Sequence, residues 1–296
     1  MTWNVPLLER GIPLLHAASN RALRQDAPTR LTPKRRPTVT VIIPTMNEAA
    51  NLPHVMPRLP DLITEVIVVD AHSKDDTVAV ARELRPDARI LMQVGRGKGS
   101  ALRQGFEAAT GDIIVSIDAD GSTMPEEIVA FVDALMAGAD YVKGSRYVDG
   151  GGSADLTFIR RMGNLGLTMM VRVVHGVRYS DLCYGFNAFW RDVLPLLDLR
   201  STGFEIETEM NLRAHIVGLR VAEVPSMEAA RIFGESNLRA IPDGWRVFKQ
   251  IVRERFRNEA AVDISVTTLS VAHPEAVVVP LDVEDAVNDR TLAGAV

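Results

Sequence analysis

Three runs dominated by β-branched and other apolar residues, Val39–Ile43, Val66–Val69 and Ile113–Ile117, stop at Pro44, Asp70 and Asp118 respectively. Each is short, continuous and bounded by turn residues, the pattern of a strand buried on both faces. Arg89–Val94 and Tyr141–Arg146 read as two further strands. Helical segments are expected between them at Asn47–Met56 (limited by Pro53), Asp75–Leu84 with Asp76 in its first turn, Lys98–Thr110 and Pro125–Met136. Strands alternating with helices of this length require a mostly parallel sheet joined by right-handed crossovers. The expected fold class is therefore α/β, with a mostly parallel central sheet flanked by helices. In such sheets ligands gather beyond the carboxyl ends of the strands, so Pro44–Glu48, Asp70 and Asp118–Asp120 are expected to meet in one cleft.

The second half is less regular. A Gly150–Gly152 loop precedes an expected helix at Thr157–Val174, a strand at Tyr184–Trp190, a helix at Gly203–Ile216 and a strand at Arg220–Val224. Met169 and Met170 are expected in the core. From Trp245, the residues Phe248, Ile251, Val252 and Phe256 recur at helical spacing with Arg246, Lys249, Arg253 and Arg257 between them. That segment fits either an interfacial helix or one packing its apolar stripe on the core. Trp3–Leu15 is a second expected membrane contact.

Composition narrows the class. The chain has 296 residues, 47% hydrophobic and 24% charged, which excludes collagenous, low-complexity and globally disordered readings. A single cysteine, Cys183, excludes a disulfide scaffold and a Cys-rich zinc site. No apolar stretch is long enough to span a bilayer, and Met1–Arg10 lacks a secretory pattern, so a cytoplasmic protein is expected. Residues 1–36 carry seven basic side chains against Glu9 and Asp26, whereas 259–296 carry seven acidic ones against Arg290. No aromatic–basic interleaving accompanies this charge, so no nucleic-acid partner is expected. The expected organisation is a basic segment at 1–37, a catalytic domain at 38–240, an amphipathic helix at 241–258 and an acidic tail at 259–296.

Several residues are equipped for chemistry. Asp118 and Asp120, one residue apart at a strand exit, suit a hard divalent cation shared with substrate phosphates. Asp70 suits a ribose hydroxyl or base N–H, or equally the cap of its own turn. Gly95-Arg-Gly-Lys-Gly-Ser100 departs from the P-loop pattern because Gln93 stands where its first glycine belongs. Gly97 still allows close backbone approach, the helix start offers N–H groups, and Arg96 and Lys98 offer cations to a phosphate. Arg146 and Arg231 are candidate phosphate clamps, against a plain surface role for each. Glu205, Glu207 and Glu209 form an acidic cluster whose ordinary meaning is a solvated face; Glu205 or Glu207 is the candidate general base. The six histidines show no metal-ligand spacing.

Taken together, Val41-Ile-Ile-Pro-Thr-Met-Asn-Glu48, Val66-Ile-Val-Val-Asp70, Gly97-Lys-Gly-Ser-Ala-Leu102, Gly111-Asp-Ile-Ile-Val-Ser-Ile-Asp-Ala-Asp-Gly121, Gly144-Ser-Arg-Tyr147, Gly185-Phe-Asn187 and Arg231 with Gly234-Glu-Ser236 resemble family 2 glycosyltransferases of the GT-A fold. Among these the polyprenyl-phosphate sugar synthases, such as dolichol-phosphate mannosyltransferase, are the most similar. The resemblance covers Val39–Leu238. It implies a GDP- or UDP-sugar donor held by Pro44, Thr45, Asn47, Glu48 and Asp70, with Gly97, Lys98 and Arg231 at its phosphates. It implies Mg²⁺ or Mn²⁺ on Asp118 and Asp120, with Arg146 and Arg231 assisting phosphate or acceptor binding. The implied reaction is inverting transfer to a polyprenyl phosphate, at the inner face of a membrane. Ser122 and Asn237 stand where mannosyl synthases often carry Gln and Lys. The alternatives are transfer to a small soluble acceptor such as a phosphoglycerate, a non-catalytic nucleotide-sugar binding protein, and a nucleotidyltransferase. A second copy of the chain is a further candidate partner.

Overall fold

Residues 35–257 are described in a computed structural model; the expected Trp3–Leu15 contact, most of the basic segment and the acidic tail lie outside them. Strand β1 (Val39–Thr45) is buried on both faces and takes the centre of one half of a seven-stranded sheet. Its parallel neighbours are β2 (Glu65–Asp70) and β4 (Ile113–Ser116), and β3 (Arg89–Met92) forms the edge beside β2. The other half contains β5 (Tyr141–Ser145), β7 (Asn187–Trp190) and β8 (Val221–Pro225), giving the order β3-β2-β1-β4-β7-β5-β8. Only β7 runs antiparallel, pairing with both β4 and β5. The pairs β6 (Gly152–Ser153) and β9 (Met227–Glu228) form a separate two-stranded ribbon too short for any sequence pattern to reveal.

The register explains why the site lies where it does. Thr45 faces Asp70 and Ile42 faces Ser116, so β1, β2 and β4 end nearly level and their following loops converge. Val41, Ile42, Ile43, Val66–Val69 and Ile113–Val115 are buried and form the floor beneath those loops.

The helices are α1 (Leu52–Val55), α2 (Thr77–Leu84), α3 (Lys98–Ala108), α4 (Ile128–Met136), α5 (Phe158–His175), α6 (Leu194–Leu197), α7 (Ile206–Ile216) and α8 (Ala240–Phe256). The helix expected at Asn47–Met56 shrinks to α1 and a 3₁₀ turn, because Asn47 has a left-handed φ of 58° and Pro53 must sit in a first turn. Asp76 takes the N-cap position of α2 rather than its first turn, while Asp75 accepts the Thr77 amide at 3.2 Å. Helix α8 begins five residues before Trp245, with Pro242 tolerated in its first turn.

Two expectations fail in the second half. Met169 is 51% exposed on α5 and is not core; only its neighbour Met170 packs inward. The glutamates of α7 are not a solvated face, since Ile206–Ala214 are all buried. The reason is shared: α5, α7 and α8 pack on one another around Val171, Val177, Leu182, Leu212, Val247 and Ile251, a second core beside the sheet's own. That packing encloses α7 and leaves the outer side of α5 uncovered by the described residues.

Candidate active site

The loops after β1, β4 and β9 and the starts of α3, α5 and α8 surround one continuous cleft of about 620 Å³. Its floor begins at Pro44 and Thr45, where β1 ends. Helix α3 enters from one side, its N-cap Gly97 at φ +89° turning the chain into the helix while Gly97 and Lys98 line the cleft. A Cβ at Gly97 would lie 2.4 Å from the Thr202 carbonyl oxygen, so the close approach of α3 to this backbone requires glycine. Gln93 secures the same turn by donating to the Gly97 carbonyl at 2.8 Å.

Each aspartate at the β4 exit meets a different cation. Lys98 Nζ lies 2.5 Å from Asp118 Oδ1 and 2.8 Å from Glu207 Oε1. Burial disfavours the charge on this ammonium, but the two carboxylates outweigh it and hold Lys98 protonated well above the usual lysine range. Burial likewise raises Glu207; Lys98 opposes that effect and Asp118 adds to it. Gly185 completes the arrangement, since a Cβ there would come within 2.9 Å of both Asp118 Oδ2 and Lys98 Nζ.

Asp120 is held in the second arrangement. Its Oδ1 accepts from the Ser122 amide at 3.0 Å and hydroxyl at 2.6 Å, and its Oδ2 lies 2.7 Å from Arg231 Nη2. Arg231 also reaches Glu48 Oε1 at 3.2 Å, and Asn51 donates to Glu48 Oε2 at 2.6 Å. Burial raises the Glu48 carboxyl, opposed by Asn51 and Arg231. The segment carrying Arg231 is fastened across the opening: Ala229 N donates to the Ser122 carbonyl at 2.8 Å, and Phe233 N donates to Asn51 Oδ1 at 3.0 Å.

Thus Pro44, Thr45, Glu48, Gly97, Lys98, Asp118, Asp120, Arg146, Glu207 and Arg231 all line the cleft. Four expected site residues lie outside its lining, among them Arg96, which is exposed on the turn before α3. Asp70 is fully buried below it, accepting from Thr45 Oγ1 at 3.0 Å and from Ser73 Oγ at 2.6 Å and N at 2.8 Å. Asn47 instead ties the adjoining turn, accepting the Lys74 amide at 2.7 Å. Glu205 precedes α7 and accepts the Gly203 amide at 3.1 Å. Arg146 reaches the wall with its guanidinium engaged by Asp181 at 2.7 and 2.9 Å and by Glu228 at 3.1 Å, stacked on Tyr184 at 4.8 Å. It braces the wall.

Sequence patterns missed Ser122, Asn51, Asp181 and Glu228, the residues that orient the charged groups. Ser122 alone carried a local signal, a hydroxyl two residues past an aspartate. Asn51 lies only three residues from the Glu48 it orients, whereas Asp181 and Glu228 come from segments distant from Arg146. Cys183 also lines the cleft, but burial pushes its thiol up to about 12, which removes it as a nucleophile.

The far half of the cleft is different in character. Here α5, α8 and their approaches supply the apolar Leu156, Ile159, Leu167, Leu238, Ile241 and Val247 together with the polar Asp155, Arg160, Asn164, Asn237 and Asp243. Among the described residues no group of three or more His, Cys, Asp or Glu side chains is arranged around a common metal position. Asp118 and Asp120, paired here with Lys98 and Arg231, are two hard carboxylates, the number a magnesium-like ion takes when substrate phosphates complete its shell. The donor set fits such an ion.

Residues 40–195 match the family described as Glycosyl transferase family 2. The chain is 35% identical over 226 residues to the polyprenol monophosphomannose synthase of Mycolicibacterium smegmatis, covering 72% of this chain and 84% of the relative. It is 32% identical over 225 residues to glycosyltransferase AglJ of Haloferax volcanii, covering 74% and 73% respectively. Among solved structures, glucosyl-3-phosphoglycerate synthase from Mycobacterium tuberculosis, in complex with Mn²⁺, uridine diphosphate and glucosyl-3-phosphoglycerate, superposes with a TM-score of 0.60. It is 23% identical and the match covers 88% of both chains, which shows a shared GT-A fold. The chain is an enzyme of the GT-A fold and belongs to glycosyltransferase family 2.

Proposed function

We propose that this glycosyltransferase moves a sugar, with inversion, from a nucleoside diphosphate donor to a polyprenyl phosphate. The observation carrying this reading is the composition of the cleft: the charged Lys98, Asp118, Asp120 and Arg231 share one lining with an apolar set, Ile159, Leu167, Ile241 and Val247, supplied by α5 and α8. A diphosphate matches the first and a prenyl chain the second. Relatives named polyprenol monophosphomannose synthase and undecaprenyl-phosphate mannosyltransferase support the acceptor class.

In the proposed reaction a phosphate oxygen of the acceptor attacks the anomeric carbon while the bond from that carbon to the diphosphate oxygen breaks. The electron pair departs with the nucleoside diphosphate. An acceptor phosphate is already anionic, so no proton has to be removed from it. This agrees with Glu207 being engaged by Lys98 and with Glu205 lying outside the cleft lining. Asp118 and Asp120 would hold Mg²⁺ or Mn²⁺, which supplies Lewis-acid stabilisation of the leaving diphosphate when bound. Lys98 and the start of α3 would add positive potential beside that group, and Arg231, paired with Asp120, is the cation assigned to the acceptor phosphate. Thr45, above buried Asp70, and Gln93 form the part of the floor assigned to the nucleoside. Work on a lipid acceptor places the enzyme at a membrane surface; no described helix is long and apolar enough to cross one.

The test is a donor panel of UDP- and GDP-sugars with Mn²⁺, offered undecaprenyl phosphate or 3-phosphoglycerate. Sugar is expected in the organic phase, and Asp120→Asn should reduce its appearance by about 10²–10³-fold. Transfer to 3-phosphoglycerate alone, or unchanged turnover by Asp120→Asn, overturns the reading.

A further inference from the structure

We infer that the outer face of α5 and α8 is a docking surface for an anionic lipid bilayer. This rests on the polyprenyl-phosphate reading and adds to it the surface that presents the cleft to the lipid. Along α5, Phe158, Met162, Leu165, Met169 and Val173 follow one another at steps of three and four residues, so they form one stripe, and all five are exposed. Phe158 is 77% and Val173 78% exposed. On α8, Ile241 is 83% exposed and Trp245 lies exposed beside Phe248, its ring 4.9 Å from that of its neighbour. The two helices pack directly on one another through Val171, Val247 and Ile251, and each carries exposed apolar side chains outside that seam. Exposed large apolar side chains in this number on two neighbouring helices mark an interaction site.

Charge selects the occupant. Helix α5 contains no Asp or Glu. The acidic residues of α8, Asp243 and Glu254, are buried. The exposed charged side chains of the two helices are Arg161, Arg172, Arg246, Lys249, Arg253 and Arg255, all cationic. Lys249 lies over the Trp245 ring at 5.6 Å, joining a cation to an aromatic of the kind that settles at headgroup depth. Within the two helices the exposed apolar side chains are accompanied only by cations, which matches acyl chains below anionic headgroups. A second copy of this chain would bring like charges together. The face is also continuous with the cleft, because Ile159 and Ile241 belong both to the exposed surface and to the apolar lining. A docked bilayer therefore opens onto the apolar lining of the cleft, where a prenyl chain enters without crossing water.

The test measures partitioning of the full chain onto vesicles of phosphatidylglycerol or of phosphatidylcholine. Binding is expected to the first, to be far weaker to the second, and to fall steeply between 0.1 and roughly 0.5 M salt. The pair Leu165→Asp with Met169→Asp lies outside the cleft lining and should lower partitioning about tenfold or more. Its melting temperature, and its transfer to a short water-soluble prenyl phosphate, should match the unsubstituted chain. Transfer to undecaprenyl phosphate embedded in vesicles should fall with the partitioning. Equal vesicle binding by the unsubstituted chain and the pair overturns the inference, even where short-chain transfer upholds the acceptor reading. So does light scattering that shows a dimer which the pair dissolves without any change in vesicle binding. Absence of short-chain transfer, with vesicle binding intact, instead counts against the acceptor reading.

Discussion

Lys98 is the residue on which most of the charged lining of the cleft depends, since it touches both Asp118 and the buried Glu207. Removing it leaves Glu207 enclosed without its counter-ion. Lys98→Met should therefore cost about 3 kcal/mol at pH 7, read by denaturant unfolding. The pH dependence has a definite sign. The folded pKa of Glu207 is raised above 4.5, first by burial, so the group favours folding below its unfolded value and disfavours it as pH climbs through the folded one. Without Lys98 that rise grows, so the deficit should shrink toward pH 4.5 and widen above it. The double variant Lys98→Met with Glu207→Gln should recover more than half the loss; no recovery would show that the ion pair is not the cause. Glu65 has the opposite sign. Burial opposes its charge, but hydrogen bonds from Thr40, Thr110 and Arg89 outweigh it and lower its pKa to about 2. Its contribution is present above pH 4.5 and lost as pH falls toward 2, so Glu65→Gln should flatten the acid limb of stability in that window.

Among elements, α8 decides whether the apolar lining of the cleft exists. It supplies Ile241 and Val247 to the lining and Ile251 to the small core shared with α5 and α7. Ile251 is fully buried, so Ile251→Ala should cost about 2–4 kcal/mol. Because this core is separate from the one beneath the sheet, loss of α8 packing should reach acceptor transfer before donor binding. The check is the same variant assayed for both: a lower melting temperature, a raised acceptor KM and an unchanged donor Kd. The element pattern was legible where one strand or helix interacts mainly with the sheet. Val39–Thr45 and Glu65–Asp70 announce themselves by continuous apolar residues. Helix α7 was legible as an element at Gly203–Ile216, but its burial was not, because its glutamates look solvated until α5 and α8 are placed around it. Met169 was misread for the converse reason: an apolar residue on a helix signals burial only if another element covers that side, and among the described residues none does.

For the whole molecule, ligand linkage offers the broadest check. A nucleotide-sugar donor with Mn²⁺ at about a hundred times its Kd should stabilise the folded chain by about 2.7 kcal/mol. For a domain of this size that raises the melting temperature by about 5–10 °C. Chelation should abolish the shift if Asp118 and Asp120 hold the metal, and Asp120→Asn should behave like the chelated protein. A shift that persists in chelator separates donor binding from the metal.

The chain's local order determined the sheet and the place where ligands converge: short apolar runs ending in Pro44, Asp70 and Asp118 become level strand ends because parallel pairing aligns them. It also determined which residue types meet there, and ten of the named candidates line the cleft. Tertiary structure decided what each of them touches. Asp70 was drawn under the floor by Thr45 and Ser73, Arg146 was engaged by Asp181 and Glu228, and Arg231 crossed to Asp120 from more than a hundred residues away. Those outcomes depend on burial and on contacts between distant segments, whose energies are set by the surrounding dielectric and geometry. Strand periodicity is written in neighbouring residues, whereas the partner of a buried charge is known only when the chain has closed around it.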